Sequence, residues 1–253
     1  MTKKTIWITG GSTGIGKSLA IKFASQNWNV AVSARRTELL NELCVDNKNI
    51  YPFPLDVTDI EQCKNVSNNI IKKFGFIDIC VFGTGMHDPN SEKNFNLNKI
   101  REIMEVNFFG VMNCVNSVYE HFSEKKNGKL SIISSVAGYR GLPAAGAYCA
   151  SKSALTSFTE SLYFDMKRKN VEVALISPGF IKTPMTDQND FPMPMIKSAE
   201  YAADKIYSGL LKKNGFEIHF PKTFTLLMKI IQILPNWLYF GAINFGNKFM
   251  KRD

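Results

Sequence analysis

A tyrosine and a lysine stand four positions apart in the segment AYCASK, as Tyr148 and Lys152. In a helix this spacing places both side chains on one face, close enough for the ammonium group to act on the phenol. A free phenol has a pKa near ~10, and a nearby cation favours the phenolate and lowers that pKa. The pair therefore suits an acid–base catalyst. The alternative is a helix-surface pair worth roughly a few tenths of a kcal/mol.

A glycine-rich segment near the N-terminus, TGGSTGIG at 9–16, has the spacing of a phosphate-binding turn. It follows a strand-like run and precedes a helix-like run, which is the context that such a motif needs. The glycines permit a tight turn and close backbone approach to a pyrophosphate, and the helix N-terminus offers free N–H groups. We expect a dinucleotide to bind here, through Gly10, Ser12, Thr13, Gly14, Ile15 and Gly16. The alternative is a glycine-rich turn that binds no ligand.

Two arginines follow the second predicted strand, in the segment SARR that ends with Arg35 and Arg36. Dinucleotide folds that use NAD usually place an acidic residue here, on the ribose 2′-hydroxyl. An acid would repel a 2′-phosphate, whereas an arginine can bind one with two hydrogen bonds. The sequence therefore favours NADP(H) over NAD(H). The alternative is that both arginines simply end the strand at the surface.

The elements that position these residues are short apolar strands alternating with longer helical segments. Six runs rich in β-branched residues are predicted strands, at 5–9, 29–34, 50–55, 77–82, 129–134 and 171–177. Between them, residues 108–122 repeat apolar side chains at steps of three and four, which is typical of a helix. This alternation predicts an α/β fold, a Rossmann-type doubly wound and mostly parallel sheet in a single domain. We assign it residues 1–220, followed by an apolar helical C-terminal extension at 221–253.

The composition limits the other possibilities. The chain of 253 residues is 45% hydrophobic, enough for one substantial core. Its formal net charge is +9, but the basic residues are dispersed in short pairs, so we expect a solvated basic surface and no nucleic-acid site. Five scattered cysteines and three histidines have neither disulfide nor metal-ligand spacing. The start MTKKTIWITGG leaves no room for a signal peptide, so we expect a cytoplasmic protein.

These motifs occur together in a fixed order, with Ser135 thirteen positions before Tyr148 and Asn107 near the start of the long helix. In this the chain resembles the short-chain dehydrogenase/reductases of the Tyr-x-x-x-Lys type, over roughly residues 4–220. The resemblance implies an oxidoreductase with Asn107, Ser135, Tyr148 and Lys152 as its catalytic residues. It also implies that Ser135 donates to the substrate oxygen, and that Lys152 holds the nicotinamide ribose while Asn107 orders water leading to it.

The same resemblance implies further cofactor contacts and an assembly. Asp56 and Val57 would contact the adenine, and a later set would line the nicotinamide side of the cofactor: Pro178, Gly179, Ile181 and Thr183. Family members often associate through their long helices, which implies a homodimer or homotetramer.

One segment departs from the family pattern. After the fourth strand the family usually carries an Asn-Asn-Ala-Gly run, whereas this chain reads FGTG at 82–85 and keeps only Gly85. The departure bears on the support of the strand end and on the contact with the adenosine ribose. It leaves open an alternative function, a catalytically silent regulatory protein that binds NADP(H).

Substrate selection in such a fold lies in the loops beyond the strand carboxyl ends, here 85–97, 136–147 and 184–198. The last of these contains Met185, Phe191, Met193 and Met195, which would form an apolar and adaptable lid. This favours a hydrophobic carbonyl or alcohol substrate over a sugar. The alternative is that these side chains pack the loop against the body of the protein.

The C-terminal segment 223–250 is apolar and free of charge from Ile230 to Asn247. Gln232, Pro235 and two asparagines interrupt this run, so a membrane-spanning helix is not expected. Two interpretations remain open. The segment could be buried against the domain or in a subunit interface, or it could make peripheral contact with a membrane, with its aromatic residues at the headgroups and its lysines facing anionic lipid.

Overall fold

The structure is a computed structural model that describes residues 3–88, 91, 95–189 and 192–249. Within these residues a seven-stranded sheet has the order β3-β2-β1-β4-β5-β6-β7, with every neighbouring pair parallel. The strands are β1 (Thr5–Thr9), β2 (Asn29–Ser33), β3 (Ile50–Pro52), β4 (Ile79–Phe82), β5 (Lys129–Ile133), β6 (Glu172–Pro178) and β7 (Glu217–Phe220). The predicted doubly wound Rossmann-type sheet is confirmed.

Helices cover both faces of this sheet. They are α1 (Gly14–Ser25), α2 (Thr37–Val45), α3 (Ile60–Phe74), α4 (Leu97–Met104), α5 (Gly110–Lys125), α6 (Gly146–Lys167) and α7 (Ala199–Leu210). Alternate residues of β1 enter two separate cores, Ile6 and Ile8 on the side of α1 and α7, and Trp7 on the side of α3, α5 and α6. Because both faces are buried, the strands appear in the sequence as continuous apolar runs.

Two elements differ from the sequence expectation. The short strand β7 was not predicted, because its sequence EIHF is half polar and three of its four residues are only partly buried. The predicted helix at 108–122 is α5, which starts at Gly110 and is joined to α4 by a π-helical segment, Glu105–Phe109. Such segments occur frequently at functional sites, and this one carries Asn107.

The sheet order places the site. From β1 the sheet grows in one direction through β2 and β3, and in the other through β4 to β7. The strand order therefore reverses between β1 and β4, which are hydrogen-bonded neighbours. In open parallel sheets ligands bind outside the strand carboxyl ends at such a switch point. The loops that follow β1, β2, β4, β5 and β6 all reach this edge.

The C-terminal segment forms two helices, α8 (Lys222–Gln232) and α9 (Asn236–Phe249), which separate near Pro235. One face of α8 packs on the domain, where Phe224 and Met228 contact Val136 and Tyr139. Among the described residues, no helix combines the length and the apolar character needed to cross a membrane. Phe224, Thr225 and Met228 on one side of α8 are buried, while Leu226, Leu227 and Ile230 on its other side are exposed.

Arg140 joins this segment to the loop between β5 and α6. Its guanidinium group donates to the carbonyl oxygens of Ile231 (3.1 Å), Gln232 (3.2 Å) and Leu234 (2.6 Å), and to Asn236 Oδ1 (2.5 Å). It also lies 4.0 Å from the ring centroid of Tyr239, whose hydroxyl donates to the carbonyl of Gly141. The arginine thus donates to carbonyls at and just beyond the end of α8, where helical N–H partners become few.

Replacing Arg140 with alanine is expected to lower the free energy of unfolding by roughly 1–3 kcal/mol, because several hydrogen bonds to a charged group are lost together. Hydrogen exchange in 222–249 should accelerate more than exchange in the central strands. Arg168→Ala is the matched control, since Arg168 forms an exposed ion pair with Asp165 and should change stability by less than about 0.5 kcal/mol. Equal effects of the two substitutions would contradict the proposed attachment.

Candidate active site

A cleft of about 430 Å³ lies at the carboxyl edge of the sheet. All the predicted cofactor-binding residues line it, namely Gly10, Ser12, Thr13, Gly14, Ile15, Gly16, Arg35, Arg36, Asp56, Val57, Gly85, Tyr148, Lys152, Pro178, Gly179, Ile181 and Thr183. Ser135 lines the cleft as well, whereas Asn107 lies behind the wall at Gly85. The structure therefore brings together residues that are up to about 170 positions apart in the sequence.

The glycine-rich turn has the backbone that its sequence predicts. Gly10 and Gly14 have positive φ angles of 71° and 55°, which side chains other than glycine adopt rarely. A Cβ atom at Gly16 would lie 2.3 Å from the carbonyl oxygen of Gly10, so only glycine fits there. The turn leads into α1, where Thr13, at the N-cap position, makes no side-chain hydrogen bond to the described helix. The first N–H groups of α1 are therefore available to an anion.

The two arginines stand at the rim of the cleft, and both are exposed. Arg36 Nη2 donates to Ser12 Oγ at 3.3 Å and to Thr13 Oγ1 at 3.2 Å, which directs the guanidinium toward the glycine-rich turn. Arg35 lines the same cleft from the end of β2. The two guanidinium groups thus place positive charge at the end of the cleft that contains the glycine-rich turn.

Tyr148 and Lys152 lie in the first two turns of α6, as their spacing predicts. Lys152 is buried, and its Nζ lies 5.7 Å from the ring centroid of Tyr148 and donates to the carbonyl oxygen of Ile133 at 3.0 Å. Ser135 follows β5, and its Oγ accepts from the N–H of Ala137 at 3.1 Å. Ser135 also acts on the phenol of Tyr148, whose pKa it lowers. Ser135 and Tyr148 therefore line the same cleft as Lys152, which lies one turn of α6 beyond the tyrosine.

The pKa values of this pair differ from the sequence expectation. Burial raises the pKa of Tyr148 to about 12, although the hydrogen bond with Ser135 lowers it. Burial also lowers the pKa of Lys152 to about 8. The sequence predicts that Lys152 lowers the pKa of the phenol, whereas in the structure burial is the larger effect and desolvation opposes both charged forms. The tyrosine is therefore protonated at neutral pH, ready to donate a proton.

Asn107 is fully buried and connects the loop after β4 to α6. Its Oδ1 accepts from the N–H of Met86 at 2.7 Å, and its Nδ2 donates to the Met86 carbonyl at 2.9 Å and to Ser151 Oγ at 3.0 Å. Ser151 in turn donates to the carbonyl of Tyr148 at 2.8 Å. Since both amide hydrogens are used within the protein, Asn107 holds the loop and the tyrosine in register.

The FGTG segment supports the strand end by its own contacts. The N–H of Gly83 donates to Thr9 Oγ1 at 3.1 Å, which ties the end of β4 to the end of β1. A Cβ atom at Gly83 would lie 2.6 Å from Ile133 Cδ1, so a larger residue has no room beside this isoleucine. A Cβ atom at Gly85 would stand 3.6 Å from both Asn107 Oδ1 and Lys152 Nζ. The departure from the family pattern is therefore accommodated locally.

Sequence reasoning missed His87 as a neighbour of the site. Its ring centroid lies 5.1 Å from that of Tyr148, with the planes inclined at 57°. The available signal was its position in the loop just beyond the carboxyl end of β4, where side chains of this fold face ligands. In the lid loop, Met185 lines the cleft and Met195 is exposed, while Phe191 lies outside the described residues.

A doubly wound parallel sheet with a glycine-rich turn after β1 and a Tyr–Lys pair in the same cleft defines a Rossmann-type oxidoreductase. The family described as short chain dehydrogenase matches residues 4–192, and the chain belongs to this family. An uncharacterized oxidoreductase of Myxococcus xanthus is 30% identical over 246 residues, which cover 96% of this chain and 97% of that protein. Three further curated relatives are longer proteins, and the chain spans 58% to 64% of their length.

Solved structures agree with this assignment. ElxO with NADP bound is 26% identical, with a TM-score of 0.78 over 86% of this chain and 98% of that one. A short chain dehydrogenase/reductase from Burkholderia phymatum in complex with NAD is 20% identical, with a TM-score of 0.82 over 90% of this chain and 92% of that one, and it shows the shared fold. Proteins of this architecture thus bind nicotinamide dinucleotides of both kinds.

Proposed function

We propose that the protein transfers a hydride between NADP(H) and a carbonyl or alcohol substrate, with Tyr148 as the proton donor and acceptor. One observation carries this proposal. Tyr148, Ser135 and Lys152 line the same cleft as the glycine-rich turn and the two arginines. The cleft would therefore offer a phosphate-binding end to the cofactor and a proton-donating end to the substrate.

The residues of the cleft fit a nicotinamide dinucleotide. Gly10 and Gly14 have positive φ angles, and Gly16 has no space for a Cβ atom. At these three positions no side chain would separate the backbone from a bound pyrophosphate. Pyrophosphate at this turn would face the N-terminus of α1, whose dipole favours an anion. Asp56 and Val57 line the cleft beyond β3, while Pro178, Gly179, Ile181 and Thr183 line the opposite wall.

In this proposal each side chain has one task. The nicotinamide, when bound, supplies or accepts the hydride. During carbonyl reduction Ser135 donates a hydrogen bond to the substrate oxygen as negative charge develops there. Tyr148 then transfers its hydroxyl proton to that oxygen, which completes the alcohol, and Lys152 stabilises the resulting phenolate. In the reverse direction the phenolate accepts the proton.

The substrate end of the cleft favours an apolar molecule. Met185 lines the cleft directly, and Met193 and Met195 lie in the same lid loop. Unbranched thioether side chains adapt to apolar ligands of different shapes. We therefore propose a hydrophobic aldehyde or ketone, or the corresponding alcohol, as the substrate.

The cofactor preference is tested by Arg35→Asp. This change replaces a cation with an acid at the rim of the cleft, so the dissociation constant for NADPH should rise on the order of tenfold or more, while that for NADH changes little. Fluorescence titration with both cofactors measures the ratio of the two constants. Lys48→Asp is the matched charge reversal, since Lys48 is exposed and does not line the cleft. A ratio that Arg35→Asp leaves unchanged would remove the arginine as the discriminating residue.

The function itself is tested by following NADPH oxidation with a panel of aldehydes and ketones that vary in apolar surface. We expect turnover with apolar members of the panel. Tight NADPH binding without turnover on any member would instead support a silent regulatory protein that binds the cofactor.

We also propose a homodimer or homotetramer, as the family resemblance implies. Sedimentation as a monomer at micromolar concentration would contradict that assembly.

A further inference from the structure

The two C-terminal helices present large apolar side chains to solvent on the sides turned away from the domain. Ile233, in the turn between the helices, is 80% exposed and Trp237, near the start of α9, is 73% exposed. We call the exposed apolar side chains of the two helices and the turn between them the tail face. They are Leu226, Leu227, Ile230, Ile233, Trp237, Leu238, Phe240 and Phe245. A monomeric soluble protein rarely exposes so much apolar surface in one region, and such surfaces mark interaction sites.

The charges that accompany the tail face have one sign. The sequence contains no aspartate or glutamate from 218 to 252, whereas five basic residues fall in that range. Lys222 is exposed at the start of α8. Its pKa is lowered by partial burial and by the ammonium groups of Lys229 and Lys212, although Glu217 opposes this effect. Lys222 lies one helical turn before Leu226 on the same exposed side of α8, whereas Lys229 is paired with Glu217 on the domain side.

Helix α8, which carries part of the tail face, also adjoins the cleft. The ring of Phe224 packs so closely on Gly179, in the wall of the cleft, that a Cβ atom there would lie 2.8 Å from it. Thr223, at the start of α8, donates to the sulfur of Met195 in the lid loop at 3.5 Å. Met195 and its neighbour Ile196 are themselves exposed. Apolar surface is thus found on the helices and on the lid loop that they contact.

We propose that the tail face binds the surface of an anionic phospholipid bilayer, with α8 and α9 lying in the interfacial layer. The apolar side chains would enter the boundary between headgroups and acyl chains, and Trp237 would lie at headgroup level, where tryptophan is enriched. Lys222 and its neighbours would face the lipid phosphates. In this orientation the lid loop lies close to the bilayer, so an apolar substrate dissolved there reaches the cleft over a short path.

A second copy of the chain fits the tail face less well. Two-fold packing of this surface on itself would bring its lysines toward the same lysines of the other copy. Since the sequence from 218 to 252 offers no carboxylate to pair with them, that contact would be repulsive. An anionic bilayer supplies the missing negative charge.

The experiment is co-sedimentation of the full chain with two kinds of vesicle, phosphatidylcholine alone and phosphatidylcholine containing 30% phosphatidylglycerol. We expect the protein to pellet with the anionic vesicles, and pelleting to weaken as salt is raised. The triple variant Ile230→Ser, Ile233→Ser and Trp237→Ser should partition at least about tenfold less, because three inserted apolar groups are lost. The matched control is Val45→Ser with Phe164→Ser, two exposed apolar side chains on α2 and α6, and it should pellet like the parent.

Sedimentation velocity without lipid and the urea midpoint accompany each variant. An unchanged midpoint shows that loss of pelleting is not loss of folding. Recovery of the parent in the supernatant with anionic vesicles, equal pelleting of parent and triple variant, or equal binding to both vesicle types would each overturn the proposal. The parent could instead stay in the supernatant and sediment as an oligomer, with the triple variant sedimenting as a monomer. That result would identify the tail face as a subunit interface. NADPH oxidation with a soluble ketone is measured separately, so the result leaves the proposed enzymatic function open to its own test.

Discussion

Replacing Tyr148 with phenylalanine is expected to lower the rate of carbonyl reduction by a factor on the order of 10² or more. The substitution removes one hydroxyl group and leaves the ring, which packs against His87. Tyr148 lines the cleft together with Ser135, and burial keeps the phenol protonated at neutral pH by raising its pKa to about 12. Without it, the oxygen that becomes negatively charged during hydride transfer loses the group from which we propose that it takes its proton.

The dissociation constant for NADPH should change little in Tyr148→Phe, because the glycine-rich turn and the arginines are untouched. Tyr163→Phe removes the same group from the same helix at a position that packs on Phe164 and Phe216, and it should retain the activity of the parent. Comparable turnover in Tyr148→Phe and the parent would show that another group supplies the proton.

Replacing Lys152 with methionine is expected to reduce both turnover and cofactor affinity, each by roughly tenfold or more, while making the fold more stable at neutral pH. The activity falls because the ammonium that stabilises a phenolate is removed. The stability rises because the buried ammonium is costly, as the lowering of its pKa from 10.5 to about 8 indicates. Methionine has a similar shape, so the cavity stays filled.

The pH dependence follows from the direction of this shift. Between pH 8 and 10.5 the unfolded chain holds a proton on Lys152 that the folded chain has released. The free energy of unfolding of the parent therefore rises with pH across this window. Below about pH 8 the cost is fully present, and Lys152→Met should be more stable by on the order of 1–3 kcal/mol after the lost hydrogen bond to Ile133 is subtracted. Above about pH 10.5 this advantage should vanish.

Urea unfolding of parent and variant from pH 6 to 11 measures this difference. Lys167→Met, an exposed lysine on the same helix, is the control and should shift stability by less than about 0.5 kcal/mol at every pH. A variant that loses activity and is also less stable at pH 7 would indicate that the lysine is chiefly a structural hydrogen-bond donor.

The sequence predicts those parts of the fold and the candidate site that depend on local pattern. The apolar runs of β1 and β6 and the glycines at 10, 14 and 16 each have one physical explanation, and the structure agrees with it. The four-residue step between Tyr148 and Lys152 depends only on the helix, so it was predictable as well.

The features that escaped prediction depend on contacts between distant segments. Arg140 bonds to Asn236, 96 positions away, and no local pattern indicates such a pairing. The edge strand β7 lacks an apolar run because it is only partly covered. The raised pKa of Tyr148 results from burial, which is a property of the whole fold rather than of the spacing to Lys152.

The central claim is that this cleft transfers a hydride to a carbonyl carbon with Tyr148 as the proton donor. The most direct measurement uses NADPH carrying deuterium at both C4 positions, incubated with an apolar ketone that the parent turns over, with mass spectrometry of the alcohol formed. We predict an alcohol one mass unit heavier from the parent and at least about 100-fold less of it from Tyr148→Phe. An alcohol without deuterium, or equal amounts of labelled alcohol from the two proteins, would contradict the claim.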